Sequence, residues 1–290
     1  MAAASAPIEL AALTLILALI GGLFPIFSKI KENPETLRRI TGIASGILLA
    51  SALLIVVPEG FELATGEHEE PEEEGHEEEE AGHEEEELGN LLIGGAILAG
   101  FLMMLILEGS GIGHAIHEEH HDHHDEHGHE HVHHMTTPWL LVLGLSLHSA
   151  ADGLAIGSAA AGTSEAVTAL VAMAVLIHKV PAAFSLGVFS MHEREDRNDS
   201  IKDVVLFSLA TPVMIMISFY ALEGLDGHLI ALAMLFAAGT FLYVATVDTL
   251  PDIHNPETGR EALKNVLIGV VVMVLVLYGA DAAGLIEHGH

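Results

Sequence analysis

Eight apolar stretches, each long enough to cross a bilayer as a helix, take up most of this chain; they run over residues 8–28, 38–62, 89–111, 137–160, 166–190, 201–223, 228–250 and 262–283. A membrane's hydrocarbon core asks for about 20 consecutive apolar residues per helical span. No water reaches that depth, so each backbone N–H and C=O must bond within its own helix. The chain is therefore predicted to be all-α: a polytopic membrane protein of eight transmembrane helices, read as one transmembrane domain over residues 1–290. Hydrophobic residues make up 51% of the sequence, and little chain remains for a soluble domain. The first stretch has no basic region before it and is too long for a secretory signal, so it is expected to be a retained helix.

Lysine and arginine are scarce, and their placement fixes an orientation. There are ten. Lys29, Lys31, Arg38 and Arg39 lie around the first loop, Arg194, Arg197 and Lys202 follow the fifth stretch, and Arg260 and Lys264 follow the seventh. In an eight-helix arrangement all nine fall on one side, which the positive-inside rule makes cytoplasmic. Both termini are then non-cytoplasmic. The expected location is the cell membrane in a prokaryote or a secretory-pathway membrane in a eukaryote. The tenth cation, Lys179, lies inside the fifth stretch.

The net charge of −31 is local rather than global. Fourteen acids lie within residues 67–87 and six more within 113–134, and the latter stretch also holds eleven histidines. The acidic loop 66–88 falls outside and the His-rich loop 113–135 inside; neither composition can form a packed core. Such acidic tracts attract cations and do not make a nucleic-acid surface; adaptation to high salt is an alternative. Neutral imidazoles bind Zn²⁺, Ni²⁺, Co²⁺ and Cu²⁺, so His120, His121, His123, His124, His127 and His129 are candidates for capturing metal in the cytoplasm. Cysteine is absent, which excludes thiolate ligands and disulfides.

A shift of 193 residues aligns Ala44 and Gly46 with Ala237 and Gly239, Leu49 with Leu242, Ala52 with Ala245, and Pro58-Glu59 with Pro251-Asp252. The two stretches cross in opposite directions, so the fold is compatible with an inverted repeat of helices 1–3 and 6–8 around helices 4 and 5, a common transporter device. Gly42/Gly46 and Gly153/Gly157 have the four-residue spacing that lets helix backbones approach closely. General tight packing explains them better than a dimer motif, although a homodimer remains compatible with the sequence.

The chemistry concentrates in two strings, Leu147-His148-Ser149-Ala150-Ala151-Asp152-Gly153 and Ile177-His178-Lys179-Val180-Pro181-Ala182-Ala183. An ionisable side chain at membrane depth costs roughly 2.5–3.5 kcal/mol on insertion scales. His148 and Asp152 are four apart and share a helix face. With His178 they offer two imidazoles and a carboxylate, a set suited to Zn²⁺ and related divalent metals. A bland alternative is that His148 and Asp152 simply satisfy each other. Pro181 removes the N–H that would bond the Ile177 carbonyl, beside His178, and Thr211-Pro212 does the same to the Ser208 carbonyl; such breaks are tolerated where they line a cavity, though a plain kink is common. Lys179 fits where a second ion would otherwise bind, as a tethered cation paired with a carboxylate such as Asp152; otherwise it faces a watery cavity. Asp248, deep in the seventh stretch, with Asp252 at its inner end and Glu59 at the outer end of the second, are candidate carboxylates on an ion path or ordinary interfacial acids.

These strings resemble the ZIP (Zrt/Irt-like) family of divalent-metal transporters over nearly the whole chain. Shared features are eight helices, both ends outside, a His-rich loop after the third helix, His-x3-acid-Gly in the fourth and His-x2-Pro in the fifth. His178-Lys179-Val180-Pro181-Ala182-Ala183-Phe184 together with Phe241-Leu242-Tyr243-Val244-Ala245-Thr246-Val247 resembles the secretory-pathway branch. The resemblance implies that His148, Asp152 and His178 ligate the principal metal and that Ser149 occupies a position that often ligates a second ion. Lys179 and Ala182 replace ligands of that second site, Thr211 falls where some members carry an acid, and Asp248 matches a pathway acid. It further implies metal moving toward the cytoplasm by an elevator-like or channel-like route. Zn²⁺ is the expected substrate, with Mn²⁺, Fe²⁺ and Cd²⁺ as alternatives and no organic cofactor; the partners are the bilayer and the metal.

Other classes fit less well. A cation-diffusion exporter needs a second His-x3-Asp pair, and Ala182 stands four residues after His178. An intramembrane zinc hydrolase needs three histidines and a catalytic acid, so no enzyme is expected. A metal-responsive receptor that has lost transport stays open, because the second site is degraded. No Gly-x4-Gly-Lys-Ser/Thr phosphate loop is present, which argues against direct ATP drive.

Overall fold

The computed structural model describes residues 6–28, 34–65, 89–110, 138–194, 196–247 and 253–284. They form eight long helices and, among the described residues, no strand: α1 (Ile8–Phe27), α2, α3 (Asn90–Gly109), α4 (Pro138–Gly162), α5 (Glu165–Glu193), α6 (Arg197–Leu222), α7 (Gly227–Val247) and α8 (Gly259–Ala282). α2 runs from Pro34–Ser51 through one π-helical turn, Ala52–Val56, into Val57–Thr65. Seven of the eight are long and apolar enough to cross a membrane. α4, 25 residues long, carries His148 and Asp152 and is packed against α6, α7 and α5. The protein is a multi-pass, all-helical membrane protein.

Several helices start before or end beyond their apolar cores because polar residues cap them. Ser164 accepts a hydrogen bond from the Val167 N–H and starts α5 two residues after α4 ends. Asp196 accepts from the Asn198 N–H and starts α6 at Arg197, upstream of the apolar run. Each cap satisfies an N–H left without a partner by the first helical turn.

Helices in lipid gain little from hiding apolar surface, so they associate through close backbone contact. Glycines provide it here. A Cβ on Gly187 of α5 would lie 2.1 Å from the Gly22 carbonyl oxygen of α1, and one on Gly46 of α2 2.1 Å from Val266 of α8, beside Gly269. One on Gly239 of α7 would fall 2.0 Å from the Ile97 carbonyl oxygen of α3. Gly153 and Gly157 of α4 press on Thr211, Ile215 and Ser218 of α6. Both glycine pairs singled out in the sequence are thus used within the chain. The crossings join α1, α4, α5 and α6 into one group and α2, α3, α7 and α8 into another, which meet chiefly where α7 packs on α4 and α2 on α5.

Large apolar side chains point outward, as lipid contact requires: Ile16, Ile20 and Phe24 on α1, Leu98 and Ile106 on α3, Leu267, Val271 and Leu275 on α8. Trp139, Tyr220 and Tyr278 are exposed near helix ends, where amphipathic rings suit a membrane–water interface.

Candidate metal centre

His148 and Asp152 lie ten and fourteen residues into α4, so they sit mid-helix, about 15–21 Å along its axis. One helical turn separates them and sets both on one face. His178 and Lys179 lie midway along α5. The ligand atoms of His148, Asp152 and His178 all lie within 4.8 Å of one another, and all three residues are buried.

The two oxygens of Asp152 have different partners. Oδ1 is 3.2 Å from His178 Nε2 and 3.8 Å from His148 Nε2. Oδ2 accepts from Lys179 Nζ at 3.1 Å. Both Asp152 and Lys179 are fully sealed from solvent. The ammonium also donates to Ser149 Oγ and lies 4.5 Å over the Phe207 ring, a contact that favours a cation. Having accepted from Lys179, the Ser149 hydroxyl has one proton to give, to the Phe207 carbonyl at 3.1 Å or to Thr211 Oγ1 at 2.9 Å. Thr211 Oγ1 in turn donates to the Ser149 carbonyl at 2.8 Å. Ser149, Lys179 and Thr211 therefore form one buried network beside the His–Asp cluster.

His178 carries a tautomeric constraint. Its Nδ1 is 3.0 Å from the Ala174 carbonyl, which only accepts, so Nδ1 holds the proton of a neutral ring. Nε2 then turns a lone pair toward the carboxylate oxygen 3.2 Å away. Two lone pairs at that distance need a cation between them, either a proton or a metal. Ligand atoms about 2.1 Å from a tetrahedral Zn²⁺ lie about 3.4 Å apart. The His178–Asp152 spacing fits that geometry, and the His148–Asp152 spacing exceeds it by a few tenths of an ångström. The backbone carbonyl orienting His178 is the outer-sphere partner that metal-bound imidazoles commonly have. Phe241 of α7 covers His178 edge-on, with ring centroids 6.2 Å apart.

The remaining candidates are distributed as follows. Thr211 joins the network through Ser149. Pro181 and Pro212 lie inside α5 and α6, which continue through them. Glu59 does not cap the outer end of α2: it is half-buried, and the helix runs on to Thr65. Asp248, Asp252, His120, His121, His123, His124, His127 and His129 lie outside the described residues, as do both charged loops.

Two polar contacts were not anticipated. Asp203 of α6 accepts from Arg194 Nε and Nη2 at 2.9 and 3.0 Å and from Ser190 Oγ at 2.6 Å. The hydrogen bond to Asp203 holds the Arg194 guanidinium above its ordinary pKa. Tyr243 Oη donates to Glu108 Oε2 at 2.8 Å, joining α7 to the end of α3. An acid inside a predicted span was the available signal for Asp203; nothing in the sequence pairs Tyr243 with Glu108.

The family model described as ZIP Zinc transporter matches residues 5–133 and 109–277. Among curated proteins, the chain is similar to "Zinc transporter ZIP9" of Xenopus tropicalis, 32% identical over 265 residues that cover 83% of this chain and 84% of that one. It is 34% identical to "Zinc transporter ZIP9" of Micropogonias undulatus over 287 residues, 88% of this chain and 89% of that one. With "Zinc transporter ZIP1" of Danio rerio it shares 31% identity over 164 residues, 56% of this chain and 49% of that one.

Proposed function

The chain belongs to the ZIP zinc transporter family, and from that premise we propose that it moves Zn²⁺ toward the cytoplasm, one ion at a time, through His148, Asp152 and His178. The observation that carries this reading is the divided carboxylate of Asp152. Oδ1 faces two imidazole nitrogens, while Oδ2 is held by an ammonium. One oxygen is free to ligate a metal, and the position beside the other is already occupied by a fixed positive charge. A second dication there would meet Lys179 at contact distance, in a medium that screens charge poorly. The site is accordingly mononuclear, with Lys179 standing where a second ion would bind and Ser149 holding Lys179 in place.

The direction is the one the family resemblance implies. The nine cations on one side favour a cytoplasmic His-rich loop 113–135, where it would receive the ion. Asp248 and Asp252 are proposed to hand the ion on, and Glu59 to admit it. Mn²⁺, Fe²⁺ and Cd²⁺ are competing substrates, since affinity order alone does not set transport selectivity.

Flux of radiolabelled Zn²⁺ into proteoliposomes tests the site. His148→Ala/His178→Ala is expected to reduce flux to the protein-free background while the thermal unfolding profile is retained. Absence of wild-type flux with Zn²⁺, Mn²⁺ and Fe²⁺ alike would overturn the transport reading. Metal analysis of the purified protein, with the cytoplasmic loop excised, tests the role of Lys179. Lys179→Glu should raise the bound metal from one to two per chain; an unchanged ratio rejects Lys179 as the stand-in.

A further inference from the structure

Among the described residues, the cations on the charged side of the bundle fall into two sets. Those around α5 and α6 are engaged: Arg194 with Asp203, Lys202 with Asp199, and Arg197 with the Ile26 carbonyl at 3.0 Å while stacked on Phe27. Those on α2 and α8 are not. Among the described residues, Arg38, Arg39 and Arg260 form no ion pair, and Lys264 has only Glu261 at 3.8 Å, with both side chains well exposed.

These four lie at one level of the bundle. A Cβ on Gly42 would touch Asn265 and one on Gly46 would touch Val266, so α2 and α8 run parallel and in register at their charged ends. Arg38 and Arg39, one turn before Gly42, are therefore level with Arg260. Arg260 also stands in the first turn of α8, where the dipole and the unbonded N–H groups disfavour cations and attract anions; Arg38, Arg39 and Lys264 lie one turn further in. From Arg260 and Lys264 a shallow, open groove of about 440 Å³, lined by α8 residues alone, descends along its outer face past Leu263, Leu267 and Val271. All three are well exposed.

We infer that this groove holds one anionic glycerophospholipid, its phosphate against Arg260 and Lys264 at the level of Arg38 and Arg39, and an acyl chain along Leu263, Leu267 and Val271. The charge order matches the lipid: cationic at the membrane surface, apolar below, with no acid on the apolar part of the groove. The inference rests on the membrane reading of the fold and not on transport or on the metal site.

The test uses the full chain in detergent micelles containing equal phosphatidylglycerol and phosphatidylcholine, without added metal, and counts retained lipid by native mass spectrometry. One phosphatidylglycerol per chain should be retained in preference. At about fivefold per cation, Arg260→Gln/Lys264→Gln should weaken it roughly 25-fold. Glu261→Gln, which releases Lys264 from its partner, should strengthen it, and Lys202→Gln should leave it unchanged. Equal retention of the two lipids, or equal losses in Lys202→Gln and the double variant, would overturn the proposal. So would Leu267→Cys cross-linking two chains in the membrane, since a second copy would then cover the groove.

Discussion

Asp152 and Asp203 are both buried carboxylates with a basic partner on a neighbouring segment, yet they are built oppositely. Asp203 has both oxygens taken by one guanidinium, and Ser190 adds a further bond to Oδ2. Bidentate pairing of this kind is directional and closed. Asp152 gives one oxygen to Lys179 and leaves the other facing imidazole nitrogens that do not satisfy it as a neutral pair. The difference separates a carboxylate that holds helices together from one with valence left for a ligand. Burial alone does not distinguish them; what the second oxygen faces does.

The sharpest way to break the comparison is to remove the open carboxylate. Asp152→Asn should abolish Zn²⁺ flux and, by leaving Lys179 buried without a counter-charge, destabilise the protein by about 3–5 kcal/mol. Adding Lys179→Met should restore most of the stability, read by thermal unfolding, without restoring flux. If flux returned with Lys179→Met, Asp152 would be a counter-ion and not a ligand.

Opening the closed carboxylate should do less, and to a different quantity. Arg194→Gln is expected to cost about 1.5–3 kcal/mol through loss of charged hydrogen bonds, with Zn²⁺ affinity unchanged within a factor of three. Because Asp203 raises the Arg194 pKa, the guanidinium stays charged throughout the range in which imidazoles titrate. The stability that this raised pKa contributes is present below the ordinary arginine pKa and is lost as pH rises through the raised value. A pH dependence of flux between 5 and 8 that survives Arg194→Gln therefore belongs to other groups. The smallest effect is expected at the exposed pair: Lys202→Gln, which removes the 2.6 Å contact to Asp199, should leave both the melting temperature and flux where they were.

The sequence made the helices legible because each is an unbroken apolar run, and it located α4's chemistry because His-x3-Asp is a one-turn spacing. The partnership of Lys179 with Asp152 was legible as well, since a lysine at that depth has few alternatives. What could not be read depends on how helices approach one another. The contact of Ser149 and Thr211 requires α4 and α6 to pack as closely as Gly153 allows, and Phe207 reaches Lys179 through the same crossing. The π-helical turn at Ala52–Val56 was hidden because its own residues are ordinary apolar ones, although Pro58, two residues on, removes the N–H that would bond the Leu54 carbonyl inside it. The polar ends of α5 and α6 were missed because hydropathy registers the buried run and not the caps, Ser164 and Asp196, that set where a helix starts.

The glycine crossings set this chain's tolerance of mutation. At Gly46, Gly100, Gly187 and Gly239 even one methyl group would fall within about 2 Å of a facing carbonyl oxygen. Replacing a glycine can only add atoms, so any replacement at these positions pushes two backbones apart. Leu98, Leu267 and Val271, which face lipid, can be exchanged for other apolar residues with little consequence. In a soluble protein the fragile positions are mostly large side chains whose loss leaves a cavity. Here they are positions with no side chain, and the hydrophobic bulk that dominates the composition is the part most open to drift.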